Sequence, residues 1–129
     1  MWVYEQSTGR LMRDGRCEGV GWAGQPPHKN DPNAQHLPNV GPLPRGRYKI
    51  EGPPYTHPKL GVYVLNLAPQ PDEGETSEPY PHMLGRFAFR IHGASRENPD
   101  FSSEGCVILP RHTREALWQS GDRDFEVVK

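Results

Sequence analysis

The sequence predicts a mainly β, single-domain fold with one short helix, and three observations carry that expectation. The first is punctuation: 14 glycines and 15 prolines make up about a fifth of the 129 residues, too many turn formers for a helical bundle or a coiled coil. The second is bulk, because three Trp, five Tyr and four Phe supply core anchors that a disordered chain lacks, even at a mean hydropathy of -0.83. The third is period: the apolar runs are short and several alternate with polar residues, as in a pleated strand. A chain of 129 residues holds one core, so residues 1–129 are read as one domain.

In order, Trp2-Val3-Tyr4-Glu5-Gln6 reads as a strand, Ser7-Thr8-Gly9 as a turn, Arg10-Leu11-Met12-Arg13 as a second strand, and Asp14-Gly15 as a hairpin turn into a third strand, Arg16 to Trp22. Residues 25–39, rich in Pro and Asn, bury little apolar surface and read as a loop. Arg47-Tyr48-Lys49-Ile50 is a strand with Tyr48 and Ile50 on one face, and Gly61 to Leu67 is a more deeply buried one. Residues 68–83, acidic and Pro-containing, form a second long connection. Phe87-Ala88-Phe89-Arg90-Ile91-His92 alternates, which sends Phe87, Phe89 and Ile91 to the core and turns Ala88, Arg90 and His92 away from it. Pro110 opens the one helix, Arg111 to Ser120 form its body and Gly121 stops it; Phe125 to Val128 close the chain as a strand.

Charge excludes some partners. Fifteen Lys and Arg against 16 Asp and Glu give a formal charge of -1, and no basic run exceeds two residues, so nucleic acid is not expected as a partner. No stretch reaches the ~20 apolar residues of a membrane span, and the start lacks the basic and apolar regions of a secretory signal, so neither membrane insertion nor Sec-type export is expected. Cys17 and Cys106 are too few for a disulfide scaffold and are read as separate thiols.

The candidate chemistry lies in the C-terminal half. His92 ends a strand and is followed by Gly93; Ser102-Ser103-Glu104-Gly105-Cys106 then leads into the apolar run Val107-Ile108-Leu109. The intervening chain is long enough to turn back and lay His92 against Cys106 at one sheet end. A cysteine nucleophile needs this, because only the thiolate attacks and a free thiol with a pKa of ~8.5 needs an imidazole nearby at neutral pH. Gly105 allows a sharp bend, the amides of Ser103 to Cys106 are candidate oxyanion donors, and the Ser103 hydroxyl is a candidate orienter. The plainer alternative is a small buried thiol beside an apolar run, with His92 a capped edge residue. Zinc fits less well, since neither C-x-x-C nor H-x-x-x-H is present, and redox exchange lacks a partner thiol; no metal and no cofactor is expected.

These residues carry a resemblance. His92-Gly93 with Ser103-Glu104-Gly105-Cys106-Val107 resembles the His-Gly and Ser-x-Gly-Cys signature of L,D-transpeptidases, cysteine enzymes of bacterial peptidoglycan. The chain is most similar to a compact branch, the type VI secretion L,D-transpeptidase effectors. That similarity covers nearly its whole length, through Trp2 to Gly9, Asn39 to Tyr48, and Phe89 to Cys106. Housekeeping members read Ser-His-Gly-Cys followed by Arg or Asn, whereas here Glu104 takes the place of that His and Val107-Ile108-Leu109 follow the cysteine. The resemblance implies an L,D-transpeptidase-like β-sheet fold with Cys106 as nucleophile, His92 as base and then acid, and the Ser103 to Gly105 segment presenting the thiol. The implied substrate is the peptidoglycan tetrapeptide stem: attack at the L-centre of diaminopimelate expels D-Ala, and the thioester passes to water, to a free D-amino acid or to a second stem amine.

Two arginines join the site on this reading. Arg90 shares the face of His92 and is a candidate clamp for the substrate's terminal carboxylate, with an ion pair to Glu104 or Glu97 as the alternative; Arg86 is a second candidate. Tyr80 and His82 are either a lid or exposed loop residues, and His28, His36, His57 and His112 receive no role. The resemblance further implies delivery by a secretion machine to the periplasm of a target bacterium, and an immunity protein in the producer. The rival function is a non-catalytic module that binds peptidoglycan or a protein.

Overall fold

The computed structural model describes residues 1–129. Nine strands, β1 (Trp2–Glu5), β2 (Arg10–Arg13), β3 (Arg16–Val20), β4 (Trp22–Ala23), β5 (Gly46–His57), β6 (Gly61–Pro69), β7 (Arg90–His92), β8 (Val107–Ile108) and β9 (Asp124–Val128), form one sheet in the order β3-β2-β1-β9-β5-β6-β7-β8-β4. β1 and β9 pair in parallel, as do β7 and β8; the other neighbours are antiparallel. One helix, α1 (Arg111–Gln119), precedes β9. The mainly β expectation with one helix after Cys106 therefore holds.

The two ends of this strand order are consecutive in the chain. Val20 and Trp22 are separated by one residue, so their Cα atoms lie at most ~7 Å apart, yet they belong to opposite edges of the sheet. The sheet must therefore curl until its edges almost meet. Gly21 occupies the seam: its N–H donates to the Gly9 carbonyl at 2.8 Å, and a Cβ there would fall 1.7 Å from the Ile108 carbonyl oxygen. The single strand expected over Arg16 to Trp22 is thus two strands, cut where only a glycine fits.

Inside the curl, one face of every strand except the exposed β3 feeds a continuous core. The registers align Trp2 with Phe125, Phe125 with Tyr48, Ile50 with Leu67, Leu65 with Ile91, and Ile91 with Val107, all buried. Tyr48 packs edge-on against Phe89 and Phe125, at ring-centroid distances of 5.6 and 6.4 Å. Cross-strand apolar pairs of this kind hold the register, since a slip by one residue would turn the whole stripe to solvent.

Three expectations need correction. β5 runs on past the expected Arg47 to Ile50 as far as His57, through Pro53 and Pro54; its pairing with β9 ends at Lys49, and its register with β6 skips from Glu51 to Tyr55, so neither proline has to donate to a ladder. Phe87 is 84% exposed and not in the core, because Ala88 adopts φ 62° and breaks the alternation before β7 begins; Phe89 and Ile91 are buried as expected. His92 faces away from Ile91 and is nevertheless buried. α1 follows the expected pattern, with Gly121 beyond its end at φ 75°, where a left-handed residue closes a helix without a Cβ penalty.

Candidate active site

Parallel pairing of β7 with β8 sets the site. Ile91 lies opposite Val107 and His92 opposite Ile108, so Arg90 falls beside Cys106, the residue preceding β8. Ile91 and Val107 point into the core, hence Arg90, His92 and Cys106 share the opposite face. Two residues along the strand and one strand across, the Cα atoms of His92 and Cys106 are ~8 Å apart, a span that an imidazole and a thiol can close. Both side chains line one cavity of about 400 Å³ together with Arg90, Arg86 and Glu104.

Cys106 is a free, buried thiol whose Sγ contacts the Ala88 carbonyl at 3.7 Å. Burial pushes its pKa up; the Arg90 backbone N–H and the Arg90 and Arg86 guanidinium groups pull it down, and the Glu104 carboxylate adds to the rise. His92 bonds through Nδ1 to the Gly93 carbonyl at 2.9 Å, which fixes the tautomer with Nδ1–H and leaves Nε2 as the basic nitrogen. Burial lowers the His92 pKa most; the Gly93 bond opposes this, while the nearby Arg114, Arg90 and His57 charges add to the lowering. The resting site is thus a thiol beside a neutral imidazole. No hydrogen bond joins the two, so an ion pair is not preformed.

The loop before Cys106 is clamped by Ser103. Its buried Oγ accepts from the Gly24 N–H at 2.9 Å and the Gly105 N–H at 3.0 Å, and donates to the Cys106 carbonyl at 2.6 Å. The hydroxyl thereby sets the loop that carries Cys106. One expectation is corrected: the Gly105 amide is already bonded and unavailable as an oxyanion donor. Gly105 has a different use: at φ 119° it leaves room for Arg86, whose Nη2 lies 2.1 Å from where a Cβ would stand.

Arg86 is also redirected. Its guanidinium donates to the carbonyls of Gln35 (2.7 Å), Pro42 (2.5 Å), Gly41 (3.0 Å) and Glu104 (3.4 Å), tying three segments together under the thiol. That leaves Arg86 a fixed positive charge near Cys106, not a free clamp for a substrate carboxylate. Arg90 keeps more freedom: Nε donates to the Tyr55 hydroxyl at 3.1 Å, and Tyr55 in turn donates to Asn66 Oδ1 at 2.7 Å. No carboxylate lies within 4.0 Å of Arg90, so the ion pair with Glu104 or Glu97 does not form. Glu104 is exposed at the cavity edge.

Tyr80 and His82 do not border this cavity. Tyr80 packs on the core and stacks on His82, whose Nδ1 bonds Glu75 at 2.5 Å, so neither the lid nor a fully exposed loop describes them. Asp72, Glu75 and His82 bring their ligating atoms within 4.8 Å of one another, an arrangement the local bonds of Glu75 to His82 and to the Asp72 N–H account for. Cys17 is exposed on β3 and does not line the Cys106 cavity.

Sequence reasoning missed His57, Lys59, Tyr55 and Arg114. His57 and Lys59 line the Cys106 cavity, and Tyr55 anchors Arg90. The alternation of Tyr55 and His57 was the available signal, beyond the strand read over Arg47 to Ile50. Arg114, on α1, gave no signal: nothing in a helix sequence says that an arginine reaches back to Val62, Tyr63 and Leu109.

A protein-family model described as the Tlde1 domain matches residues 18–125, which span β3 to β9 and every residue of the cavity. No curated protein matches the chain. The chain belongs to the Tlde1 domain family, the type VI secretion L,D-transpeptidase effectors, whose activity concerns peptidoglycan.

Proposed function

From its place in the Tlde1 domain family, we propose that the chain is an antibacterial cysteine enzyme that cleaves and exchanges the terminal D-Ala of peptidoglycan tetrapeptide stems. The observation that carries this reading is the sharing of one face and one cavity by Cys106 and His92, with Nε2 of the imidazole free to accept a proton. The substrate fits the family, and the wall lies in the periplasm of a target cell, where a type VI machine delivers its effectors; a producer then needs an immunity protein that closes the site.

The pKa directions support one order of events. A thiol held protonated by burial next to a neutral imidazole supports general-base attack, with the S–H proton moving to His92 Nε2 as the S–C bond forms at the diaminopimelate carbonyl. Arg90 and Arg86 offset part of the burial penalty on the developing thiolate. Imidazolium then returns the proton to the amine of D-Ala as the C–N bond breaks, leaving a Cys106 thioester. Water resolves the thioester to a tripeptide, or an amine attacks it and restores an amide; in both cases His92 takes the nucleophile's proton and passes it to the departing thiolate. Arg90, beside Cys106 and free of carboxylates, faces the acyl part of the stem.

Incubation of the chain and of Cys106→Ala with tetrapeptide muropeptides, with and without an added D-amino acid, tests the reading by mass spectrometry. Loss or replacement of D-Ala by the wild type alone is expected, together with a trapped acyl-enzyme mass. Full activity in Cys106→Ala would sink the assignment, and binding without turnover in both proteins would favour a binding module.

A further inference from the structure

A second and larger cavity, of about 570 Å³, opens on the other side of His92. It shares His92, Lys59, Leu60 and Ser102 with the Cys106 cavity, so the two form one groove with the imidazole between them. Arg114 lies at its base. The residue is 5% exposed; Nε donates to the Leu109 carbonyl at 3.1 Å, and Nη1 donates to those of Val62 (2.7 Å) and Tyr63 (2.8 Å). Nη2 makes no hydrogen bond and lies against Gly93, where a Cβ would come within 2.8 Å of it. No carboxylate stands within 4.0 Å of this guanidinium.

A buried guanidinium keeps its charge, and a buried charge without a counter-ion is costly. Arg114 is held in that condition by three carbonyls, with its one unbonded nitrogen turned to a cavity that Lys59 and Arg96 also line and that holds a single carboxylate, Glu97. We propose that this chamber is a carboxylate site, built on Arg114 and opened by the missing side chain of Gly93, that seats the carboxylate of the amino acid whose amine leaves or enters at the Cys106 acyl group.

The proposal rests on the reading of Cys106 and His92 given above and adds to it the subsite for the leaving and accepting amino acid. Exchange of one D-amino acid for another runs the same step in both directions, so the departing and the incoming residue occupy one subsite. That subsite must hold the amine nitrogen at His92 Nε2 with the carboxylate of the same residue a few ångströms away, and His92 lines the chamber as well as the Cys106 cavity. In the incoming direction the amine nitrogen bonds to the thioester carbon, its proton goes to His92, the C–S bond breaks, and the thiolate recovers a proton from the imidazolium. The arrangement moves the terminal carboxylate from Arg90, where strand alternation put it, to Arg114, Lys59 and Arg96. It also makes exchange with free D-amino acids a built-in outcome and not a leak from hydrolysis.

The test is a titration of the full ¹⁵N-labelled chain with D-alanine, D-alaninamide and acetate, followed by NMR. D-Alanine should give saturable shifts at Gly93 to Arg96, Lys59 to Val62 and the Arg114 side chain, and should raise the His92 titration midpoint by screening Arg114; D-alaninamide should bind at least tenfold more weakly. Gly93→Ala should weaken D-alanine by tenfold or more while the fold, checked by the same spectra, stays intact; Arg114→Leu is a second variant, informative if its spectrum is native. Equal binding of the amide, no saturation, or undiminished binding to Gly93→Ala would each overturn the proposal. Binding needs no turnover, so a failed acyl-enzyme test would strike the function and leave this site standing, whereas exchange that rises linearly with D-alanine would strike the site alone.

Discussion

Ser103→Ala removes one oxygen atom and strands three backbone groups. In the native loop that oxygen accepts from Gly24 and Gly105 and donates to Cys106, at 2.9, 3.0 and 2.6 Å, and Ser103 is fully buried. A hydrogen bond contributes a net ~1 kcal/mol, and a partner left buried and unpaired costs about 1–3 kcal/mol. Three such groups give a loss of ~3 kcal/mol if water or loop relaxation restores part of the bonding, and more if the hole stays dry. Against the roughly 5–15 kcal/mol of an ordinary domain this is a large share, and at about 3–4 °C per kcal/mol for a chain of this size the melting temperature should fall by about 10 °C. Urea denaturation of the purified variant measures it, with an unchanged m value certifying that the same surface unfolds. The loop that presents Cys106 should also lose its set geometry, so alkylation of Cys106 at fixed pH should change alongside. A drop under about 2 °C with unaltered Cys106 alkylation would refute the clamp.

Further outcomes follow from the same geometry. Gly105→Ala forces a side chain onto φ 119° and into Arg86, so it should cost about 1–3 kcal/mol in backbone strain alone and release the guanidinium from its carbonyls; a urea midpoint equal to the wild type would contradict this. Because burial raises the Cys106 pKa, the thiolate should appear only above the pH at which an ordinary cysteine ionises. Its alkylation rate, followed by peptide mass spectrometry to separate it from Cys17, should climb at correspondingly higher pH, and Arg86→Gln should move that climb higher still by removing a cation; a midpoint below the ordinary thiol value would reverse the argument. Phe89→Ala should destabilise by about 3–5 kcal/mol and Phe87→Ser by no more than about 0.5 kcal/mol, since only the first ring packs in the core; comparable losses would restore the unbroken alternation.

The chain order of residues by itself determined the β class and the helix after Cys106, and it pointed to His92 and Cys106, which line one cavity. These are local properties: a period of two in Tyr48 and Ile50, Pro110 and Gly121 at the ends of a 3.6-residue period, and a Gly beside His92 and beside Cys106. Propensity and alternation act over a few residues and need no knowledge of what packs where. Tertiary structure decided everything that depends on which distant segments meet. Ala88 turned Phe87 out, and closure of the sheet at Gly21 made two strands of one. The hydroxyl of Ser103 found its partner in Gly24, 79 residues away, and Arg86 was consumed by carbonyls from Gln35 to Glu104. Hydrogen-bonding capacity is finite and is spent on the nearest partner in space. Which of several polar residues stays free for substrate is therefore settled by packing, and in this chain packing left Arg90 and Arg114 with donors to spare.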